Sequence, residues 1–374
     1  MKPLIKWAGG KSNEFEKIRN IIPKFKRYIE PFFGGGAVLF ALSPNKSVIN
    51  DISKELIQFY LCLQDKEKRK IFEEEIYKIL KNWEKIDEYL NLFKKDFLKL
   101  YREYKNNKID DKKLKLLLNE LFENKIKEYN GLFKKDFSIS PEKLLNQIEK
   151  STFSKLKRTK EKVDVENNFD DNEVMKNIET AFRSGFYTHI RSLYNLSQRE
   201  KILTLEKQSA FFYFIREFCY ASMFRYNSSG EFNIPYGGSA YNKKDFRKKV
   251  DYIFSKEVTK LLENTKIANE DFESFLNKLK LTPEDFIFLD PPYDTEFSDY
   301  AQNTFDKKDQ KRLADYLIET KAKFILIIKE TEFIRNIYTG KNKNIKISSF
   351  EKTYLYNVKG RNERDVNHLI IKNF

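Results

Sequence analysis

Apolar and polar positions follow two textures along the chain. From Met1 to about Gln64, short apolar runs are broken by tight glycine clusters, Gly9–Gly10 and Gly34–Gly35–Gly36. The order reads as loop, helix, strand (Arg27–Glu30), glycine turn, helix, strand (Ser47–Asp51) and a helix over Ile52–Tyr60. That alternation predicts an α/β unit with a parallel sheet. From about Asp65 to Ser209 the apolar spacing turns helical, as in Ile71, Phe72, Ile76, Ile79 and Leu80, then Leu90, Phe93, Phe97, Leu100, Tyr101 and Tyr104, then Leu114, Leu117, Leu118, Leu121 and Phe122. Pro141 opens a further helix with Ser140 as its cap. The stretch Asp164–Asn172 reads as a loop, and the whole region as a helical insertion. From about Ala210 to Phe374 the α/β texture returns. An aromatic helix (Phe211–Phe224) leads into a hairpin (Arg225–Gly238) with Ser228–Ser229–Gly230 at its turn. Short strands follow at Thr265–Ala268, Asp285–Leu289, Phe324–Ile328, Lys346–Tyr356 and Val366–Lys372. The run FILII is continuously apolar, as in a strand covered on both faces. The predicted division is therefore 1–64, 65–209, 210–264 and 265–374.

Composition narrows the chemistry. A hydrophobic fraction of 40% over 374 residues supports a real core. Two cysteines and two histidines are too few for a disulfide framework, a cysteine-rich zinc site or a histidine-built metal cage, so no metal site is expected. Cys62 and Cys219 read as small buried hydrophobes. No apolar run is long enough for a signal peptide or a membrane span, so a cytoplasmic protein without membrane contact is expected. The net charge of +15 suits a polyanion partner. Charge alone does not select nucleic acid, because the basic residues are mostly interleaved with acids, as in Lys94–Lys95–Asp96.

The candidate chemistry lies where strands end. Asp290–Pro291–Pro292–Tyr293 directly follows the apolar run FIFL. Ligands in open α/β sheets bind beyond the carboxyl ends of strands. An Asp side chain and a proline carbonyl are both acceptors, so together they can hold the two hydrogens of an amino group. They would draw its nitrogen toward a nucleophilic geometry beside the flat face of Tyr293. Glu30–Pro31–Phe32–Phe33–Gly34–Gly35–Gly36 follows the first strand, and its glycines permit a tight turn and close approach of a ligand. It is neither a dinucleotide fingerprint nor a P-loop. Asp51 ends the next strand, where an acid typically accepts from ribose hydroxyls; it also stands where it could cap the helix that follows.

Taken in order, KWAGGK, EPFFGGG, IND, RYNSSGEFNIPYGG and DPPY resemble the Dam-type DNA adenine methyltransferases. The resemblance covers about 1–64 and 210–374. It implies an S-adenosylmethionine-dependent, Rossmann-like methyltransferase sheet with a helical insertion and a hairpin-bearing DNA-recognition element. It also implies transfer of a methyl group from S-adenosylmethionine to the exocyclic N6 amine of a flipped-out adenine in double-stranded DNA. By this resemblance Trp7, Ala8, Gly9, Gly10 and Lys11 help bind the methionine end of the cofactor. Glu30, Pro31, Phe32 and Gly34 form the cofactor loop, Asp51 the ribose acid, and Asp271–Phe272 the pair that holds the cofactor adenine. Asp290, Pro291, Pro292 and Tyr293 become the catalytic loop, with Asp290 also at the cofactor. Lys6, Tyr220, Met223, Arg225, Asn227 and Pro235 match DNA-reading positions, Arg225 standing where the family's arginine reads a guanine of GATC. That role suits arginine, the natural bidentate reader of guanine, while Tyr and Met could wedge into the stack left by the extruded base. Arg361 and Arg364 are candidate phosphate contacts, as is the basic run Lys155–Lys160. A restriction–modification or phage/host DNA-marking setting, with a cognate restriction endonuclease as a candidate partner, is implied by the same resemblance.

The chain departs from the pattern in three places. Ala221–Ser222 stands where the family often has Asn-Gly, Tyr236–Gly237–Gly238–Ser239 where GATC enzymes can place an Arg-Tyr pair, and Ile328–Lys329–Glu330 where many members have Ser-Asn. The recognition sequence is therefore not implied. Motif order leaves cytosine N4 in DNA, adenine in RNA and a protein amide as alternative acceptors. A DNA-binding relative without catalysis is a further alternative, opposed by the presence of Asp51, Asp290, Tyr293 and the glycine loops.

Overall fold

The computed structural model describes residues 1–7, 14–123, 141–163, 169–201, 203–293, 305–353 and 365–374. The chain divides into two compact units, Met1–Asp65 with Ile253–Phe374, and Lys66–Tyr252. One expected boundary shifts accordingly: the helix Lys256–Glu263, read from sequence with the recognition element, lies in the first unit.

The first unit is built on a seven-stranded sheet of β1 (Arg27–Glu30), β2 (Ser47–Asn50), β3 (Thr265–Ala268), β4 (Asp285–Leu289), β5 (Lys323–Lys329), β6 (Lys346–Thr353) and β7 (Asp365–Lys372). Its order is β3-β2-β1-β4-β5-β7-β6. The first five strands pair in parallel, and β4 and the interior of β5 are buried throughout, as their unbroken apolar runs require. β7 runs antiparallel between β5 and β6, so the expected parallel sheet is mixed at this edge. A short connection can join only antiparallel neighbours, whereas a parallel pair needs a long crossover.

Strand order reverses at β1 and β4. From β1 the chain steps outward to β2, yet β4 returns to the opposite flank of β1, with Ile29 opposite Ile287. This switch point brings the loops after β1 and β4 side by side at the carboxyl edge. Ser53, not Asp51, caps the helix Lys54–Gln64, its hydroxyl accepting from the Leu56 amide. The expected start at Ile52 is corrected because residue 52 is still in the loop that Asp51 organises.

The second unit is helical. Asp170 and Glu173 form a capping box at the start of the helix Asp171–Glu200, which ends the expected loop before Asn172. Ser140 lies outside the described residues. The helix Leu205–Phe218 starts earlier and stops sooner than Phe211–Phe224 predicted. The aromatic period continues past 218, but Cys219 turns extended and bridges Tyr236, so strand pairing overrides the helical pattern. Trp83 packs against Phe186, Phe214, Phe218 and Tyr236, so the long helices and the hairpin share one core. Gly185 lets two helices touch, since a methyl group there would lie 2.6 Å from Ile148 Cα. Cys62 and Cys219 are both buried. Among the described residues, no helix is long and apolar enough to cross a membrane.

Candidate active site and the hairpin of the helical unit

Three loops at the carboxyl ends of β1, β2 and β3 are tied into one edge. Gly34 has φ +52, and a methyl group on it would sit 2.9 Å from Trp7 Cδ1, so only glycine allows this turn to lie against the indole. The Gly34 amide donates to Asp51 Oδ2 at 2.8 Å, and the Ser53 amide donates to Asp51 Oδ1 at 2.9 Å. The neighbouring Asn50 is buried and donates to the carbonyls of Pro31 (3.1 Å) and Glu270 (3.0 Å), while accepting the Glu270 amide at 2.9 Å. Its side-chain amide thus links the turn after β1 to the loop after β3.

The edge is acidic. Glu30 is buried and accepts from the Tyr28 hydroxyl at 2.8 Å. Burial pushes the Glu30 carboxyl well above the usual carboxylate range; Tyr28 opposes this, the nearby charges of Asp290 and Asp51 add to it, and the Leu39 amide opposes it. Burial also raises Asp51, against the amides of Ser53, Gly34 and Ile52.

Asp271 caps the helix Phe272–Asn277 through Oδ1, which also accepts from Arg312 Nη2 at 2.8 Å. Arg312 reaches Glu273 and Asp309 as well, and its guanidinium lies 4.9 Å from the Phe272 ring centre. Burial alone would lower the Arg312 pKa, but hydrogen bonds to Asp271, Glu273 and Asp309 hold it raised. Phe32, Phe272 and Phe305 form an aromatic cluster, with ring centres 5.4 to 5.6 Å apart.

Pro291 is buried, while Asp290, Pro292 and Tyr293 are half-buried beyond β4. Gln310, fully buried, donates to the Pro292 carbonyl at 2.8 Å and so braces the loop. His368 on β7 is fully buried and meets the Tyr293 ring edge to face, with centres 5.3 Å apart at 84°. Phe350 flanks the same imidazole at 5.6 Å.

In the second unit the hairpin is narrow. Tyr226 bridges Phe232, the Asn227 amide donates to Glu231 O at 2.9 Å, and Gly230 donates to Asn227 O at 2.9 Å. Asn227 Oδ1 accepts the amides of Ser229 (3.0 Å) and Glu231 (2.8 Å), so this side chain frames the turn. Tyr220, Arg225 and Pro235 are exposed and Met223 is half-buried. The Tyr220 amide donates to Pro235 O at 2.8 Å, and Arg225 Nε to Asn233 Oδ1 at 3.3 Å. The return limb is stitched to the helix Asp171–Glu200 at every fourth residue. Tyr187 and Arg191 donate to Ile234 O, both at 2.8 Å, Asn195 exchanges hydrogen bonds with Phe232, both at 3.0 Å, and Arg199 pairs with Glu231 at 3.3 Å. Four-residue spacing places these side chains on one face.

The structure thus joins Trp7, Glu30, Pro31, Phe32, Gly34 and Asp51 at one edge, where Glu30 also feels the charge of Asp290. Lys6 is exposed just before Trp7. Ala8, Gly9, Gly10, Lys11, Arg361 and Arg364 lie outside the described residues. In the basic run, Lys157 pairs with Asp111 at 2.6 Å and Lys160 donates to Asn107 at 2.6 Å. Burial, then Lys162 and Arg158, lowers the Lys155 pKa. Much of that run therefore serves the helices themselves. Sequence reasoning missed Asn50, Gln310, Arg312 and His368. Asn50 sat within the quoted IND motif; the others carry no local signal.

A mainly parallel seven-stranded sheet with an antiparallel β7 inserted before its edge, and its acids and glycine turn at the carboxyl ends, is the fold of an S-adenosylmethionine-dependent methyltransferase. A family model for D12 class N6 adenine-specific DNA methyltransferases matches residues 7–183 and 134–354, and the chain belongs to that family. It is similar to the Type II methyltransferase M.CviBI of Paramecium bursaria Chlorella virus NC1A, 25% identical over 381 residues and covering 100% of both chains. The Type II methyltransferase M.MjaIII of Methanocaldococcus jannaschii is 28% identical over 395 residues, covering 100% of this chain and 99% of that one. A DNA adenine methylase of Vibrio cholerae is 23% identical over 373 residues, covering 97% of this chain and 94% of that one. The amine acceptor left open by motif order is thereby adenine N6 in DNA.

Proposed function

We propose that the sheet unit binds S-adenosylmethionine along the ends of β1, β2 and β3 and methylates an adenine turned out of duplex DNA. The observation that carries this reading is the β1–β4 pairing, which sets the glycine turn beside the Asp290–Tyr293 loop. The residues present fit the cofactor. A methyl group on Gly35 would lie 3.0 Å from Ile5 O and 3.2 Å from Trp7 Cβ, so the glycines let the turn pack closely on the segment that carries Trp7. The acids Glu30 and Asp51 suit a ligand that carries an ammonium group and ribose hydroxyls. Phe32, half-buried and backed by the buried Phe272 ring, offers flat apolar surface to its adenine, and Asp271, engaged at Oδ1, would use Oδ2 for the adenine amine. Bound there, the cofactor supplies an electrophilic methyl group.

The chain's own contribution is positioning. Tyr293 stacks on the extruded base. The Asp290 carboxylate and the Pro291 carbonyl accept the two N–H groups of the exocyclic amine, exposing its nitrogen lone pair, and Asp290 receives the proton that leaves. In the helical unit Tyr220 and Met223 fill the stack, Arg225 reads a base edge, and Pro235 lies beside them. Asn227 shapes their turn. Exposed Lys6, and Arg361 and Arg364, are proposed DNA contacts. Because relatives such as M.CviBI and M.MjaIII carry the name Type II methyltransferase, we place the chain in a restriction–modification system with an endonuclease partner.

Asp290→Ala should abolish tritium transfer from labelled S-adenosylmethionine to DNA while thermal melting stays within a few degrees of wild type. Full activity of that variant would sink the assignment. Nucleoside mass spectrometry of the product should show N6-methyladenine.

A further inference from the structure

Two consecutive residues between the aromatic helix and the hairpin are left-handed although neither is glycine: Ala221 (φ 51°, ψ 19°) and Ser222 (φ 53°). A Cβ disfavours this conformation, so surrounding contacts must hold it. They do so from both sides. Arg216, in the last turn of the helix Leu205–Phe218, is fully buried. Its Nη1 donates to Met223 O at 2.9 Å and its Nη2 to Ser222 O at 3.2 Å, while its guanidinium lies 4.7 Å from the Phe224 ring centre. A buried guanidinium is unfavourable unless such acceptors meet it, and burial lowers its pKa here. From outside, the Ala221 amide donates to the Tyr241 hydroxyl at 3.0 Å. The amides of Tyr220, Ser222 and Met223 donate to the Pro235, Cys219 and Tyr220 carbonyls. Every amide from 220 to 223 is used, yet the Tyr220 side chain remains 54% exposed. A large ring held outward by a strained, fully bonded turn is a placed group.

We propose that Arg216 is a positioning residue for base extrusion, holding from within the turn that presents Tyr220 to the DNA stack. This rests on the reading above that Tyr220 enters the duplex. Asn-Gly would adopt such a turn readily; Ala-Ser needs the brace.

The test uses the full chain, with the target site taken from single-molecule sequencing of DNA from expressing cells. Arg216→Met and Tyr220→Ala are compared on a paired duplex and on one whose target adenine faces an abasic site, with 2-aminopurine fluorescence reporting extrusion. Both variants should lose about tenfold or more in kcat/KM and in fluorescence rise on paired DNA. Both should recover to within about threefold of wild type where the base is already loosely held. The double variant should be no worse than Tyr220→Ala. An Arg216→Met enzyme that matches wild type on paired DNA, or is equally impaired on both duplexes, overturns the proposal. If Tyr220→Ala matches wild type, the underlying reading fails and the proposal with it; if Tyr220→Ala is impaired and Arg216→Met is not, the proposal alone fails. Should Arg216→Met not fold, Arg216→Lys carries the same comparison.

Discussion

Asp51 Oδ2 accepts the backbone amide of Gly34 at 2.8 Å, so the acid after β2 holds the glycine turn after β1 in place. Its carboxylate thereby has a structural duty alongside any hydroxyl it binds. Two oxygens offer about four acceptor sites, so both uses are compatible.

Asp51→Asn keeps one acceptor and the shape, and should weaken cofactor binding about tenfold or more by calorimetry, the scale of one charge-assisted hydrogen bond. Asp51→Ala should weaken it further and lower the melting temperature, because the Gly34 amide loses its acceptor. Unchanged affinity in both variants would remove Asp51 from the cofactor site.

Glu30 should make stability fall with rising pH. Burial, its largest influence, holds the folded carboxyl above its unfolded value, so the folded state keeps its proton more tightly. The contribution is full below about pH 4 and is lost as pH climbs from the ordinary carboxylate value through the raised folded one. Glu30→Gln removes that loss, so its melting temperature relative to wild type should rise between about pH 4 and pH 8. A difference independent of pH would contradict this.

His368 meets Tyr293 edge to face from β7. Such ring pairs contribute about 0.5–1.5 kcal/mol, so His368→Ala should lower kcat/KM for DNA by roughly twofold to tenfold while cofactor affinity holds. His368→Phe keeps a ring and should restore most of the loss. Equal kinetics for the two variants would argue that the imidazole does not place Tyr293.

Gly185 sits where a methyl group would strike the Ile148 backbone at 2.6 Å. Gly185→Ala must separate the helices Pro141–Val163 and Asp171–Glu200, and should destabilise by about 1–3 kcal/mol in urea unfolding. A stability equal to wild type would show that the helices part without strain.

Local pattern alone placed β1, β3 and β4 at their observed bounds, because apolar runs ended by turn residues define strands without outside help. The acids and glycines at the strand ends were legible for the same reason: their chemistry is carried by short motifs. Tertiary structure decided what those motifs meet. Glu30 and the Asp290–Tyr293 loop stand far apart in the sequence and become neighbours only because β4 pairs with β1. His368 reaches Tyr293 only because β7 inserts antiparallel beside β5. The aromatic helix stops at Phe218 because a distant residue, Tyr236, pairs with Cys219, and Asn227 is turned to its own hairpin by the amides it accepts. Hydrophobic period reports how each segment buries its own face. Which segments share a sheet, and which side chains a strained turn holds out to solvent, depends on partners far along the chain that no local pattern names.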